Sequence, residues 1–281
     1  MSARFGERVR AALAAHGPLC VGIDPHAALL TAWGLGDDAS GVREFGMRTV
    51  EAAAGRAAIV KPQVSFFERF GSAGIAALEE VLAAARAAGL VVIADAKRGD
   101  IGSTMDAYAA AWLTPGSPLE ADALTVNPFL GVGALDGAFA FAEEHDKGLF
   151  VLAATSNPEA QTLQRSVSET GRAVSADIIS VVSARNAEHT ETGQWGSFGF
   201  VIGATVEWTD AGIAAFAPMA PILAPGFGTQ GATPADLHRR FGSMSPAVIA
   251  SESRSILSAG PAGLAAAIDA RVAEYREVGR G

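Results

Sequence analysis

Eight short apolar runs recur along the 281-residue chain, each closed by turn-forming or charged residues. They are PLCVGID (18–24), AAIVKP (57–62), LVVIADA (90–96), DALTVN (122–127), GLFVLAAT (148–155), FGFVIGAT (198–205), APILAPG (220–226) and PAVIASE (246–252). β-Branched residues run through them without polar alternation, which predicts strands buried on both faces. Helical patterns lie between them, among them FFERFGSAGIAALEEVLAAARAAG (66–89) and PAGLAAAIDARVAEYREVG (261–279), and residues 1–17 form an amphipathic pattern of their own. Strands alternating with helices predict a parallel sheet covered on both faces, and eight is the number that closes a (β/α)₈ barrel.

An open doubly wound sheet is the alternative. With a bound dinucleotide it would carry G-x-G-x-x-G after an early strand, and no such fingerprint stands there. The stretch 156–197 contains a helical pattern and a polar tail, which predicts an enlarged loop and no domain boundary. The expectation is one domain over residues 1–281, a TIM barrel of the α/β class.

Composition narrows the function. Apolar residues make up 49% and charged residues 18%, enough for a sizeable core and against general disorder. The net charge of −9, with no Lys/Arg-rich run, disfavours a nucleic-acid surface but leaves room for a local pocket that takes a small anion. Cys20, the one cysteine, has no partner for an internal disulfide and reads as a buried core thiol. The five histidines form no metal-binding pair, so a zinc site is not expected. No long apolar segment follows the N-terminus. The uncharged stretch Ala211 to Ala235 is broken by Pro218, Pro221, Pro225 and Pro234 and cannot run as a spanning helix. A cytoplasmic protein without a membrane segment is the expectation.

In such a barrel, reactive groups belong at the C-terminal strand ends. Asp24 closes the first run and Lys61 the second, Asp95 and Lys97 the third, Asn127 the fourth, and Thr155 with Ser156 the fifth. Taken singly, several have ordinary explanations. An Asp or Asn before proline is a turn former, and a lysine can snorkel past the rim. Their coincidence at one end is what points to a site. Glycine-rich PGFGTQG (225–231) and then SESR (251–254) close the seventh and eighth runs, and phosphate sites in these barrels lie in those two loops. Accessible backbone N–H groups, the Gln230 amide and the fixed charge of Arg254 suit a phosphate, and a phosphate pocket is favoured over the alternative of a flexible loop beside a surface arginine.

The most concentrated signal is DAKRGDIGST (95–104). On an extended chain Asp95 and Lys97 share a side, while Asp100 lies past the Gly99 turn and need not face the same pocket.

This arrangement resembles orotidine 5'-phosphate decarboxylase in its longer-chain bacterial subgroup. The pattern D-x-K-x-x-D-I-G-x-T is met by Asp95, Lys97, Asp100, Ile101, Gly102 and Thr104. GIDPH (22–26), VKPQVSFFE (60–68), TVNPFLG (125–131), ATSNPE (154–159), APGFGTQG (224–231) and SESRSI (251–256) extend it, in order, through nearly the whole chain. The resemblance implies decarboxylation of orotidine 5'-phosphate to uridine 5'-phosphate, the last step of de novo UMP synthesis, with neither cofactor nor metal. Lys97 is then the proton donor, and Asp95, Lys61 and Asp100 complete the catalytic array. Asp24, Ile101, Thr104, Asn127, Thr155, Ser156, Gln230 and Arg254 are the implied substrate contacts, although the fifth-strand segment varies within the family. A homodimer is implied, with Asp100 and Thr104 reaching into the partner's site. Two rivals stand beside this reading: a Mg²⁺-dependent relative acting on a keto-sugar phosphate, which needs acidic ligands near Asp95, and a barrel that binds a nucleotide without turning it over.

Overall fold

The computed structural model describes residues 3–278. Eight parallel strands close on themselves in chain order: β1 (Leu19–Ile23), β2 (Ile59–Pro62), β3 (Val91–Arg98), β4 (Ala123–Val126), β5 (Gly148–Ala154), β6 (Phe198–Ile202), β7 (Ile222–Pro225) and β8 (Val248–Glu252). β8 returns to pair with β1, with Cys20 beside Ser251. All eight predicted strands are present. Most are shorter by a residue or more at the ends, and β3 is longer, running to Arg98.

Strand parity explains the core. Leu19, Val21, Val60, Val92 and Leu124 point outward and pack under the helical layer, in one apolar cluster with Phe45, Leu78 and Ile268. Cys20, Ile59, Ile93, Ala123, Phe150 and Ile249 point inward and form the other cluster, the floor of the barrel. The N-terminal helix Phe5–His16 closes that floor from below: Phe5 and Val9 are fully buried, and the Phe5 ring meets Phe150 edge-on at 6.0 Å. Cys20 is the buried thiol its apolar surroundings imply, and burial pushes its pKa up to about 12.

The helical patterns become helices Gly71–Ala87 and Gly260–Val278; the predicted end at Gly279, like Met1 and Ser2 of the N-terminal pattern, lies outside the described residues. The 156–197 stretch folds into a short helix Ala160–Gln164 and the longer Val174–His189, which packs on β5 and β6. Among the described residues, no helix is long and apolar enough to cross a membrane.

Candidate active site

The inward positions one step above the floor are polar or charged. Two residues on from Ile59, Ile93, Ala123 and Ile249 stand Lys61, Asp95, Thr125 and Ser251, each buried. The strand period of two therefore places an apolar layer below and a polar layer above, at the C-terminal mouth.

Asp95 is the centre of that layer. Its Oδ2 accepts from Lys61 Nζ at 2.6 Å and its Oδ1 from Lys97 Nζ at 2.5 Å. Lys61 and Asp95 are buried, whereas the Lys97 side chain is 45% exposed and opens onto the cavity. Burial alone would push the Asp95 carboxyl up, but the charges of Lys61 and Lys97 outweigh it and hold the carboxyl down at about 2. Burial likewise works against the Lys61 ammonium, and Asp95 and then Asp24 more than offset it, so its pKa is raised. Lys61 and Asp95 are therefore both charged at neutral pH.

Lys97 reaches Asp95 by a route that strand alternation does not describe. Its φ is 49°, in the left-handed region, and the register between β3 and β4 breaks between Ala94 and Arg98. Thr125 lies across that break: its hydroxyl accepts from the Lys97 backbone N–H at 2.9 Å and stands 3.1 Å from Asp95 Oδ1. Arg98 turns away to Glu68, with its guanidinium over the Tyr108 ring.

A cavity of about 510 Å³ opens above these groups. Asp24, Lys61, Asp95, Lys97, Gln230 and Arg254 all line it, together with His26, Gln63, Ser65, Phe66, Phe227, Thr229, Ser251 and Ser253. Asp24 Oδ1 and Ser253 Oγ are buried without a hydrogen-bond partner among the described residues. A buried acceptor and a buried hydroxyl left unmatched beside a cavity are groups that a polar ligand can satisfy. The glycine-rich segment folds as a tight turn: Gly226, Gly228 and Gly231 have φ of 117°, 73° and 102°. Backbone bonds from Gly228 N to Ala232 O and from Ala232 N to Gly226 O hold it. Behind it lies Glu252, whose carboxylate accepts from Tyr275 Oη at 2.8 Å and Ser255 Oγ at 2.7 Å.

The other sequence candidates stand outside this cavity. Asp100 accepts from the Ile101 N–H at 2.8 Å, and Ile101 and Thr104 are exposed on the start of helix Gly102–Leu113. Asn127 accepts from the Phe129 N–H at 3.1 Å, the turn role open to any Asn before proline. Thr155 and Ser156 line a smaller polar pocket at the ends of β5 and β6, where Gln164 donates to Thr155 Oγ1 at 3.0 Å. His26, Phe66 and Ser253 were not singled out by sequence. GIDPH, VSFFE and SESR contain them, but nothing in short-range pattern says which side chains of a loop turn inward.

Among the described residues, no group of three or more His, Cys, Asp or Glu side chains is placed to hold a metal ion. The second strand presents to Asp95 a lysine and not a carboxylate.

A family model described as "Orotidine 5'-phosphate decarboxylase / HUMPS family" matches residues 17–269. A protein named orotidine 5'-phosphate decarboxylase from Salinispora arenicola is 51% identical over 274 residues, 97% of each chain. One of the same name from Streptomyces coelicolor is 52% identical over 260 residues, 92% of this chain and 91% of the relative. Among solved structures, an orotidine 5'-phosphate decarboxylase from Streptomyces avermitilis superposes with a TM-score of 0.94 at 48% identity, covering 100% of this chain and 98% of that one. The OMP decarboxylase of Leishmania donovani superposes with a TM-score of 0.78 at 29% identity, covering 99% and 100%.

Proposed function

The chain belongs to the orotidine 5'-phosphate decarboxylase family, and on that premise we propose how its cavity drives the loss of CO₂ from orotidine 5'-phosphate. The product is uridine 5'-phosphate, and the reaction closes UMP biosynthesis. The observation that carries the assignment of roles is the Lys61–Asp95–Lys97 array, which shares one cavity with Gln230 and Arg254.

In the step proposed, the bond from C6 of the pyrimidine to the carboxylate breaks, CO₂ leaves, and the electron pair stays on C6. Lys97 Nζ, charged and open to the cavity, stabilises that pair and gives C6 a proton; solvent returns the proton to the amine afterwards. Asp95 cannot take up a proton at neutral pH to relieve its repulsion for the substrate carboxylate, so it disfavours the bound ground state and favours departure of CO₂. Lys61 holds Asp95 ionised from the buried side.

Binding away from C6 has to supply much of the acceleration, because one ammonium cannot lower a barrier by the roughly 20 kcal/mol such reactions need. Arg254, Gln230 and the backbone N–H groups of the 226–231 turn are proposed to grip the phosphate. Asp24, with its unmatched buried oxygen, is proposed to accept from ribose hydroxyls. Asn127, Thr155 and Ser156, on neighbouring strand ends, are proposed as contacts made on substrate entry.

The chain is proposed to act as one catalytic domain, in the cytoplasm, and as a homodimer. Exposed Ile101, Phe129 and Leu130, at 62%, 71% and 54%, form apolar surface on the loops after β3 and β4 that a second copy would cover. Asp100, Ile101 and Thr104 do not line their own cavity and are proposed to complete the partner's.

The test is Lys97→Ala. Turnover should fall by at least about 10³-fold while uridine 5'-phosphate still binds. Turnover near the wild-type rate would remove Lys97 from the chemistry.

A further inference from the structure

We propose that Thr125 is a positioning residue that sets the catalytic reach of Lys97. The inference rests on the assignment of Lys97 as proton donor and adds a requirement to it.

Lys97 occupies a backbone conformation that L side chains rarely hold. Its φ of 49° makes it one of two non-glycine residues with positive φ among those described, the other being Asp146. Such a conformation persists only where its surroundings over-determine it. Here the ordinary β3–β4 ladder is interrupted between Ala94 and Arg98, so strand pairing does not supply that restraint. The Lys97 N–H donates instead to a side chain, the Thr125 hydroxyl, at 2.9 Å. Thr125 is fully buried on β4, in the polar layer above the floor, and its β-branched side chain has little rotamer freedom there.

The hydroxyl has one proton to give. Asp95 Oδ1, at 3.1 Å and charged, is a better acceptor than the Ala94 carbonyl at 3.4 Å. One atom therefore takes a hydrogen bond from the backbone of the proton donor and gives one to the carboxylate that the donor's ammonium also contacts. The consequence is specific. When Lys97 gives up its proton, Asp95 loses one of its two cationic partners, and the Thr125 bond to the same oxygen remains. The hydroxyl holds Lys97 in its bulge and holds Oδ1 in place through the step in which the ammonium becomes an amine. Neither bond touches the phosphate or ribose side of the cavity, so loss of the hydroxyl should slow chemistry and leave nucleotide binding intact.

The experiment compares Thr125→Val, which keeps the shape and removes the hydroxyl, with Thr125→Ser, which keeps the hydroxyl. Thr125→Cys, with a weak donor of similar size, supplies the comparison if the valine form does not fold. The readouts are kcat for orotidine 5'-phosphate and the affinity for uridine 5'-phosphate measured by titration. The valine form should lose about 10- to 100-fold in kcat with nucleotide affinity within about threefold of wild type. Serine should recover kcat to within about threefold, and cysteine should fall between serine and valine. Equal kcat in valine and wild-type protein, equal losses in serine and valine, or a parallel loss of nucleotide affinity would each overturn the proposal. Lys97→Ala is assayed beside them: if it turns over at the wild-type rate, the proton-donor assignment fails first, an outcome distinct from any failure within the Thr125 series.

Discussion

Lys61 Nζ lies 2.6 Å from Asp95 Oδ2, and the two side chains are only 7% and 9% exposed. Removing one partner of a buried pair strands the other charge, which typically costs about 3–5 kcal/mol. Asp95 keeps Lys97, so the lower end of that range applies. Lys61→Met should destabilise the protein by roughly 3 kcal/mol in urea unfolding and also abolish turnover. A double variant with Asp95→Leu should regain much of the stability and none of the activity. If Lys61→Met is as stable as wild type, the pair does not hold the layer together.

The same pair sets an acid limit. The Asp95 carboxyl is depressed from 3.8 to about 2, so its contribution is complete above the unfolded value and is lost as pH falls through the folded one. Such a depression corresponds to a stabilisation on the order of 2 kcal/mol. Lys61 is shifted upward, so its contribution is present below the unfolded lysine value and lost only as pH rises beyond it. Unfolding free energy should therefore carry the pair's contribution in full, without pH dependence, between pH 5 and 9, and should fall below about pH 4. In Asp95→Asn the part of that acid slope due to this carboxyl should vanish. An unchanged slope would mean that other carboxylates carry it.

Arg254 shares the cavity with Lys97 and is proposed to grip the phosphate. Arg254→Ala should lower kcat/KM for orotidine 5'-phosphate by about 10²-fold or more, the loss expected for charge-assisted hydrogen bonds to a dianion. Orotidine lacking the phosphate should be processed slowly and equally by both proteins. A loss shared by the two substrates would place Arg254 elsewhere in the mechanism.

Gly228 tests whether the turn behind the phosphate end must keep its shape. A Cβ there would lie 2.5 Å from Ser255 Oγ and 2.8 Å from Glu252 Oε2, with φ at +73°. Gly228→Ala should raise KM about tenfold or more while leaving the circular dichroism of the barrel unchanged. An unaltered KM would show that the turn can shift without consequence.

The architecture was legible because parallel strands buried on both faces leave an unmistakable trace. LVVIA and FVLAA have no polar alternation, and the floor and polar layer follow from parity once the ends are known. The site was legible in part. Lys61, Asp95, Lys97, Asp24, Gln230 and Arg254 converge on one cavity because each closes a strand or opens the loop after it. Alternation placed Asp95 and Lys97 on one side, and the structure brings them together through a left-handed bulge instead. Thr125 lay inside an apolar run, where a threonine reads as a β-former; its bonds cross to another strand, and no short-range pattern carries that. Asp100, Ile101 and Thr104, which the sequence pattern groups with Asp95 and Lys97, do not line that cavity.

Shared sites predict complementation. Lys97→Ala and Asp100→Ala subunits, each inactive alone, should regain activity on mixing, because one of the two sites in a mixed dimer has every wild-type residue. Mixed dimers that form and stay inactive would return Asp100 to its own subunit.

The most direct test of the central claim is the ultraviolet absorbance of orotidine 5'-phosphate over time with the purified protein, run with and without EDTA. The Lys61–Asp95–Lys97 array predicts rapid loss of substrate that EDTA leaves unchanged. Turnover that EDTA abolishes, or nucleotide binding without turnover, would contradict it.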